Sequence, residues 1–159
     1  ESFLYDGQAH RGSEWQLIGG SLEEGYTVSA EFTQEQTQAG KYVNSFTAYV
    51  YDENGNDARG SYEIVYEFGT LEIQPREIVL STPDAKKEYD GTPLTNAAYW
   101  LSGGSLAAGN TLSVSVTGSI TDIGTAMNTI GSVAVLNADG KDVTANYRIS
   151  LLPGTLTVV

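Results

Sequence analysis

Tyr89-Asp90-Gly91-Thr92 decides how this chain is read, because Tyr5-Asp6-Gly7 states the same triplet 84 positions earlier. At that offset Gly19-Gly20-Ser21-Leu22 falls on Gly103-Gly104-Ser105-Leu106, Gly25 on Gly109, Gly40 on Gly124 and Asn44 on Asn128. Residue identities place one extra residue of the second copy near 133–136, after which the offset is 85. Gly55 then meets Gly140, Asp57 meets Asp142, Tyr62 meets Tyr147, and Gly69-Thr70-Leu71 meets Gly154-Thr155-Leu156. A self-match at one period is a tandem duplication. It predicts two modules, 1–75 and 76–159, where the length of 159 residues alone suggests a single domain.

Both copies alternate. Val28, Ala30 and Phe32 lie on one side of Thr27–Thr33, and Leu112, Val114 and Val116 repeat that facing between Thr111 and Thr117. Period two with one apolar and one polar face is a half-buried strand, and a slip of one residue would expose its core side. Further strands are expected at 46–51, 61–66 and 70–73, and in the second copy at 130–136, 146–151 and 155–158. Asp52-Glu53-Asn54-Gly55 and Asn137-Ala138-Asp139-Gly140 read as hairpin turns. No stretch carries a 3.6-residue period. The expected fold is all-β: two tandem antiparallel β-sandwich modules, Ig-like in architecture only, since the Cys–Trp–Cys marker is absent.

Pro75 breaks any ladder at Gln74-Pro75, and Arg76–Ser81 resumes as a strand with Ile78 and Leu80 on one face. The repeat register puts the counterpart of 76–84 ahead of Glu1. The first copy is therefore expected to lack its opening strand and to present an unpaired edge or an uncovered groove, as in a piece of a longer tandem array. A competing assignment gives Arg76–Ser81 to the first copy as its closing strand. Strand pairing decides between them.

Composition limits the chemistry. There is no cysteine and one histidine, His10, which removes thiolate sites and the ordinary zinc sites. The net charge is −12, of which residues 1–75 carry thirteen acids against Arg11, Lys41 and Arg59, a net −10. A chain this acidic repels phosphate backbones, so nucleic acid is not an expected partner. No apolar run is long enough for a membrane helix, so this segment is not expected to insert in a membrane. No cofactor is expected.

The second copy resembles the Y-D-G type repeats of large bacterial cell-surface proteins, close to the group called MBG domains. The residues that carry the likeness are Tyr89-Asp90-Gly91-Thr92, the Gly104–Gly109 turn, Asp122-Ile123-Gly124 with Asn128, Asp142-Val143-Thr144-Ala145-Asn146-Tyr147 and Gly154-Thr155-Leu156-Thr157. The first copy keeps Tyr5-Asp6-Gly7, Gly40, Asn44, Asp57, Tyr62 and Gly69-Thr70-Leu71, and departs at 58–61. The resemblance implies an exported, extracellular bacterial protein whose repeats form a stalk, with neighbouring repeats as partners. It carries over no catalytic residue.

Several constellations offer other readings. Asp52, Asn54 and Asp57 crowd oxygens as a calcium loop would, but without EF-hand spacing; the competing reading is an Asx turn. Tyr5, Asp6 and Gly7, with Tyr89, Asp90 and Gly91, read as structural: tyrosine packing, aspartate accepting backbone hydrogen bonds, glycine turning the chain. Asp6, His10 and Ser13 only caricature a triad, since Leu94 occupies the second copy's counterpart of His10. Trp15, Tyr42, Tyr49, Tyr51 and Tyr66 are candidates for a ligand face in the first copy that could stack on a host glycan or meet a host protein. Two functions are therefore carried forward: a non-catalytic spacer, and an adhesin-like binding module that uses those tyrosines.

Overall fold

The computed structural model describes residues 1–159. The protein is all-β, built from short strands and small sheets with two single-turn 3-10 segments, Arg59–Ser61 and Thr144–Asn146. It divides into two compact units, Glu1–Gln74 and Pro75–Val159. No helix is long and apolar enough to cross a membrane.

The first unit contains β1 (Ser2–Leu4), β2 (Thr27–Glu31), β3 (Gly40–Asn44), β4 (Thr47–Tyr51) and β5 (Gly69–Gln74). They form a β1-β5-β3 sheet and a β2-β4 ladder. The second unit contains β6 (Arg76–Ser81), β7 (Ala85–Lys87), β8 (Trp100–Gly104), β9 (Thr111–Val116), β10 (Gly124–Met127), β11 (Ile130–Leu136), β12 (Tyr147–Leu152) and β13 (Thr155–Val158). Its β7-β13-β10 sheet and β9-β11 ladder repeat the two sheets of the first unit, and a third sheet, β12-β6-β8, has no counterpart there.

The sheets are mixed rather than purely antiparallel. β1 runs parallel to β5, β7 to β13, and β6 to β12. The opening strands of each module lie beside its closing ones, and the whole intervening chain serves as the long crossover that a parallel pair needs. The Asp52–Gly55 and Asn137–Gly140 turns do form, but they do not close hairpins. Beyond single bridges, Tyr51 to Asp57 and Leu136 to Asp142, the chain leaves through a 3-10 turn, and the ladder partners of β4 and β11 are β2 and β9.

The extra residue of the second copy is Gly131, not a residue of 133–136. Val116 pairs with Ile130 and Ser115 with Ser132, so Gly131 is the unpaired residue of a β-bulge. The counterpart of Tyr49 is therefore Ala134: Ser29 faces Tyr49 and Ser113 faces Ala134.

Arg76–Ser81 belongs to the second unit. Ile78 pairs with Ile149 and Leu80 with Leu151 on one side, while Gly104 and Leu101 flank them on the other. Ile78 and Leu80 are almost fully buried, beside a core that includes Ile130, Val135, Tyr147 and Leu156. In the first unit the core is Tyr5, Phe32, Ala48, Val50, Leu71 and Ile73. There the expected strand at 61–66 is absent, although its counterpart β12 is present. The reason is pairing: β12 exists through β6, and no strand of the first unit runs beside Tyr62–Glu67.

Candidate functional site

Two segments of the first unit face each other across an open groove of about 850 Å³. One wall is Trp15–Leu22, the counterpart of β8 and the turn after it; the other is Tyr62–Glu67, the counterpart of β12. Val28, Ala48 and Val50 form part of its floor. Leu17 and Ile18 are exposed by 57% and 63%, and Val65 by 82%. No backbone–backbone hydrogen bond is made by Trp15–Leu22 or by Glu63–Phe68. In the second unit the same two positions are strands, each hydrogen-bonded to β6 between them.

The glycines report the same difference. A Cβ on Gly104 would stand 2.1 Å from the Glu77 carbonyl oxygen, one on Gly103 3.0 Å from Val79 Cγ2, and one on Gly154 2.4 Å from the Pro83 backbone. Their counterparts Gly20, Gly19 and Gly69 would meet nothing within 4 Å. Gly20 has φ +74°, which favours glycine by itself; Gly19 and Gly69 have no positive φ. Glycine at those two positions is therefore explained by neither backbone conformation nor crowding within the first unit.

The ends of the groove are partly closed. At one end Tyr66 Oη accepts the Ala48 N–H at 2.9 Å, and Tyr66 joins Phe32, Phe46 and Phe68 in an aromatic cluster with centroids 5.0–5.5 Å apart. At the other the Glu1 carboxylate accepts from Ser13 N–H, Glu14 N–H and Asn44 Nδ2. Partial desolvation pushes the Glu1 pKa up, but these bonds outweigh it and hold the group below its ordinary value. In the second unit Asn128, the counterpart of Asn44, donates instead to the carbonyls of Pro83 and Asn96. Glu1 thus gives Asn44 an acceptor that the exit of β6 gives Asn128. The charged side chains on the groove wall are Glu1, Glu14, Glu63 and Glu67, with no lysine or arginine.

The five aromatic candidates do not share one face. Trp15 and Tyr66 line the groove. Tyr49 and Tyr51 lie half-buried on the face of β4 opposite the inward Ala48 and Val50, their rings stacked 6.4 Å apart with Arg59 4.4 Å from the Tyr49 centroid. The Glu31 carboxylate against the Tyr49 hydroxyl raises that phenol's pKa. Tyr42 is on β3, in the other sheet, and donates to the Gln38 carbonyl. Sequence proximity grouped these residues; the crossing between sheets separates them.

The oxygen-rich loops are turns. Asp52 Oδ1 accepts from the N–H of Asn54 and Asn56, and Asn137 Oδ1 accepts from Asp139 and Lys141 in the second copy. Asp57 accepts from Arg59 N–H, as Asp142 does from Thr144. The Y-D-G triplets do the same: Asp6 accepts from Gln8 N–H and Asp90 from Thr92 N–H, followed by Gly7 and Gly91 at φ +79°. The tyrosines differ, since Tyr5 is buried while Tyr89 is 53% exposed, so the packing role expected of both holds for Tyr5 only. His10 Nε2 lies 2.8 Å from Asp6, its ring stacks on Phe3, and Ser13 Oγ donates to Glu1 rather than to His10. That is not a triad geometry.

These bonds set a pH response. The pKa of Asp52 is lowered chiefly by the Asn56 N–H, that of Asp57 by Arg59 N–H, that of Asp142 by the Thr144 hydroxyl and N–H. Asp90 is lowered furthest, by Lys87 first and then Thr92, and Asp6 by Gln8 N–H. A folded value below the unfolded one gives stability that is complete above the ordinary carboxylate range and lost as pH falls through the folded values. Relief of the −12 net charge acts oppositely between neutrality and the pI near 4.2. Thermal midpoints should therefore hold or rise toward about pH 4.5 and fall steeply below about pH 4. Asp142→Asn should make that fall shallower.

Leu17, Ile18, Glu63 and Val65 were not singled out from the sequence, and the signal for them was the register that leaves the first copy without a counterpart of β6. Comparison with protein-family models, curated proteins and solved structures found no match.

Proposed function

We propose that the chain is a pair of non-catalytic repeat modules of an exported bacterial cell-surface protein, acting as spacers beside neighbouring repeats of a longer polypeptide. One observation carries this reading: what the duplication preserves is structural. The equivalent residues Asp6 and Asp90, Asp52 and Asn137, and Asp57 and Asp142 each accept backbone N–H groups in the same turns. Tyr62 and Tyr147 each accept a backbone N–H through the hydroxyl, from Glu23 and Ala107. A site under selection for chemistry would leave polar groups free to face a substrate; these shared ones are engaged by the backbone instead.

A second reading is favoured by the Tyr49–Tyr51 pair. Two parallel rings with Arg59 over one of them make a small amphipathic platform on the outside of β4, suited to a sugar face or a protein partner. A glycan and host-protein binding screen separates the two. The spacer reading predicts no saturable binding that depends on these rings. Binding abolished by Tyr49→Ala and Tyr51→Ala, with unchanged thermal unfolding, would replace it with the adhesin reading.

A further inference from the structure

We propose that Asn54 is a site of spontaneous deamidation, reached when the turn that carries it opens. The reaction confines an age-dependent change of charge and backbone length to the first unit. This goes beyond the spacer reading and does not depend on it.

Of the eight asparagines only Asn54 precedes a glycine. Without a Cβ, Gly55 leaves its amide nitrogen open to the carbonyl carbon of the preceding side chain. The surroundings favour the same residue. Asn54 is exposed, and its side-chain amide makes no hydrogen bond. A Cβ on Gly55 would meet nothing within 4 Å, so the space around the reacting atoms is open. Elsewhere the side-chain amides are held: Asn44 by Glu1, Asn56 by Asp52, Asn110 by the Tyr147 hydroxyl, and the buried Asn128 by two backbone carbonyls. Asn96 and Asn137 are engaged through Oδ1.

The closed turn opposes the reaction. Gly55 N–H donates to the Asp52 carbonyl at 3.0 Å, and Asp52 Oδ1 accepts from Asn54 N–H and Asn56 N–H. An exposed turn held by a few such bonds opens locally without global unfolding. In the opened turn the Gly55 nitrogen attacks Asn54 Cγ. The N–Cγ bond forms, the Cγ–Nδ2 bond breaks, and Nδ2 leaves as ammonia with the Gly55 amide proton. Water then opens the resulting succinimide. Cleavage of the new N–Cγ bond gives an aspartyl residue. Cleavage between the Gly55 nitrogen and the Asn54 backbone carbonyl gives an isoaspartyl residue, with one methylene added to the backbone.

The second unit displays the aspartyl outcome. Asp139 stands in the same place ahead of Gly140, and Gly55 and Gly140 have φ +81° and +78°. Asp139 N–H donates to Asn137 Oδ1 as Asn54 N–H does to Asp52 Oδ1. The isoaspartyl form has no such precedent. Its extra methylene displaces Gly55 and Asn56 from Asp52 and loosens the turn ahead of Arg59–Ser61.

Storage of the intact protein in mildly alkaline buffer, followed by peptide mapping with isoaspartate detection, tests this. Asn54 should convert before any other asparagine, giving aspartyl and isoaspartyl forms with one added negative charge. Asp52→Ala removes the side-chain bonds that close the turn and should speed conversion roughly five- to tenfold. Asn54→Asp, whose carboxylate is a far poorer leaving group, should form isoaspartate much more slowly, and Asn54→Gln should form none there. An Asn54 that stays intact in the folded protein while the urea-unfolded chain converts would overturn the proposal. So would earlier reaction at another asparagine or at Asp139, an aspartyl product without isoaspartyl, or a rate unchanged by Asp52→Ala.

Discussion

Gly104→Ala is expected to destabilise the second unit severely, while Gly20→Ala costs the first unit the backbone penalty alone. Both glycines have similar φ, +73° and +74°. Alanine therefore incurs the same left-handed backbone cost at each, about 1–2 kcal/mol. Only at Gly104 would the new Cβ also stand 2.1 Å from the Glu77 carbonyl oxygen, a backbone atom that cannot move unless β6 shifts as a whole. The total at Gly104 should reach about 2–5 kcal/mol, since overpacking adds about 1–3 kcal/mol to the backbone cost. Denaturant unfolding resolves the two, because Trp15 and Trp100 place one fluorophore in each unit. Equal losses at the two positions would mean that the groove is filled in solution or that β6 is not seated.

Leu80→Ala should produce the other large effect. Leu80 is fully buried at the centre of the β12-β6-β8 sheet, and a Leu→Ala change in such a site costs about 2–5 kcal/mol. For a unit of this size each kcal/mol lowers the midpoint by about 4–8 °C, so a drop of roughly 12–24 °C is expected at 3 kcal/mol. The transition of the first unit should stay where it is. Coincident loss of both transitions would show that the units unfold as one, and a drop of only a few degrees would show that β6 contributes little.

Much of the fold was legible because the strand signal is local. Arg76–Ser81, Ile130–Leu136 and Thr155–Val158 have the bounds that their alternation and flanking turns indicate. Tyr62–Tyr66 alternates equally well and is no strand. Its apolar faces say what it would bury, but a strand exists only through a partner's hydrogen bonds, and that partner is not local. The hairpin reading of Asp52–Gly55 failed for a related reason. Turn chemistry fixed the reversal at those residues, while the 3-10 turn that follows carries the chain to another sheet. Gly131 was misplaced because identity matching cannot see a bulge, whereas pairing can.

The groove was legible as register and not as a site. That the counterpart of 76–84 falls outside the first unit could be read from the repeat. That Glu1 bonds to Asn44 across 43 positions, that Glu63 takes the place of Arg148 beside the strand, and that Gly19 and Gly69 border open space needed coordinates. The tyrosines show the converse error. Tyr42, Tyr49, Tyr51 and Tyr66 are clustered in sequence, and the sheet crossing divides them between two sheets and the groove.

The central claim is that the two units share one plan and differ by a seated strand in the second and an open groove in the first. Residue-resolved amide hydrogen exchange on the intact protein tests it most directly, because strand amides open only with their sheet while unpaired ones exchange freely. The account predicts strong protection at Ile78–Leu80 and at those amides of Ile149–Leu151 that face β6, and exchange close to the unstructured rate at Leu17–Gly20 and Ile64–Tyr66. Comparable protection of Ile149–Leu151 and Ile64–Tyr66 would contradict it.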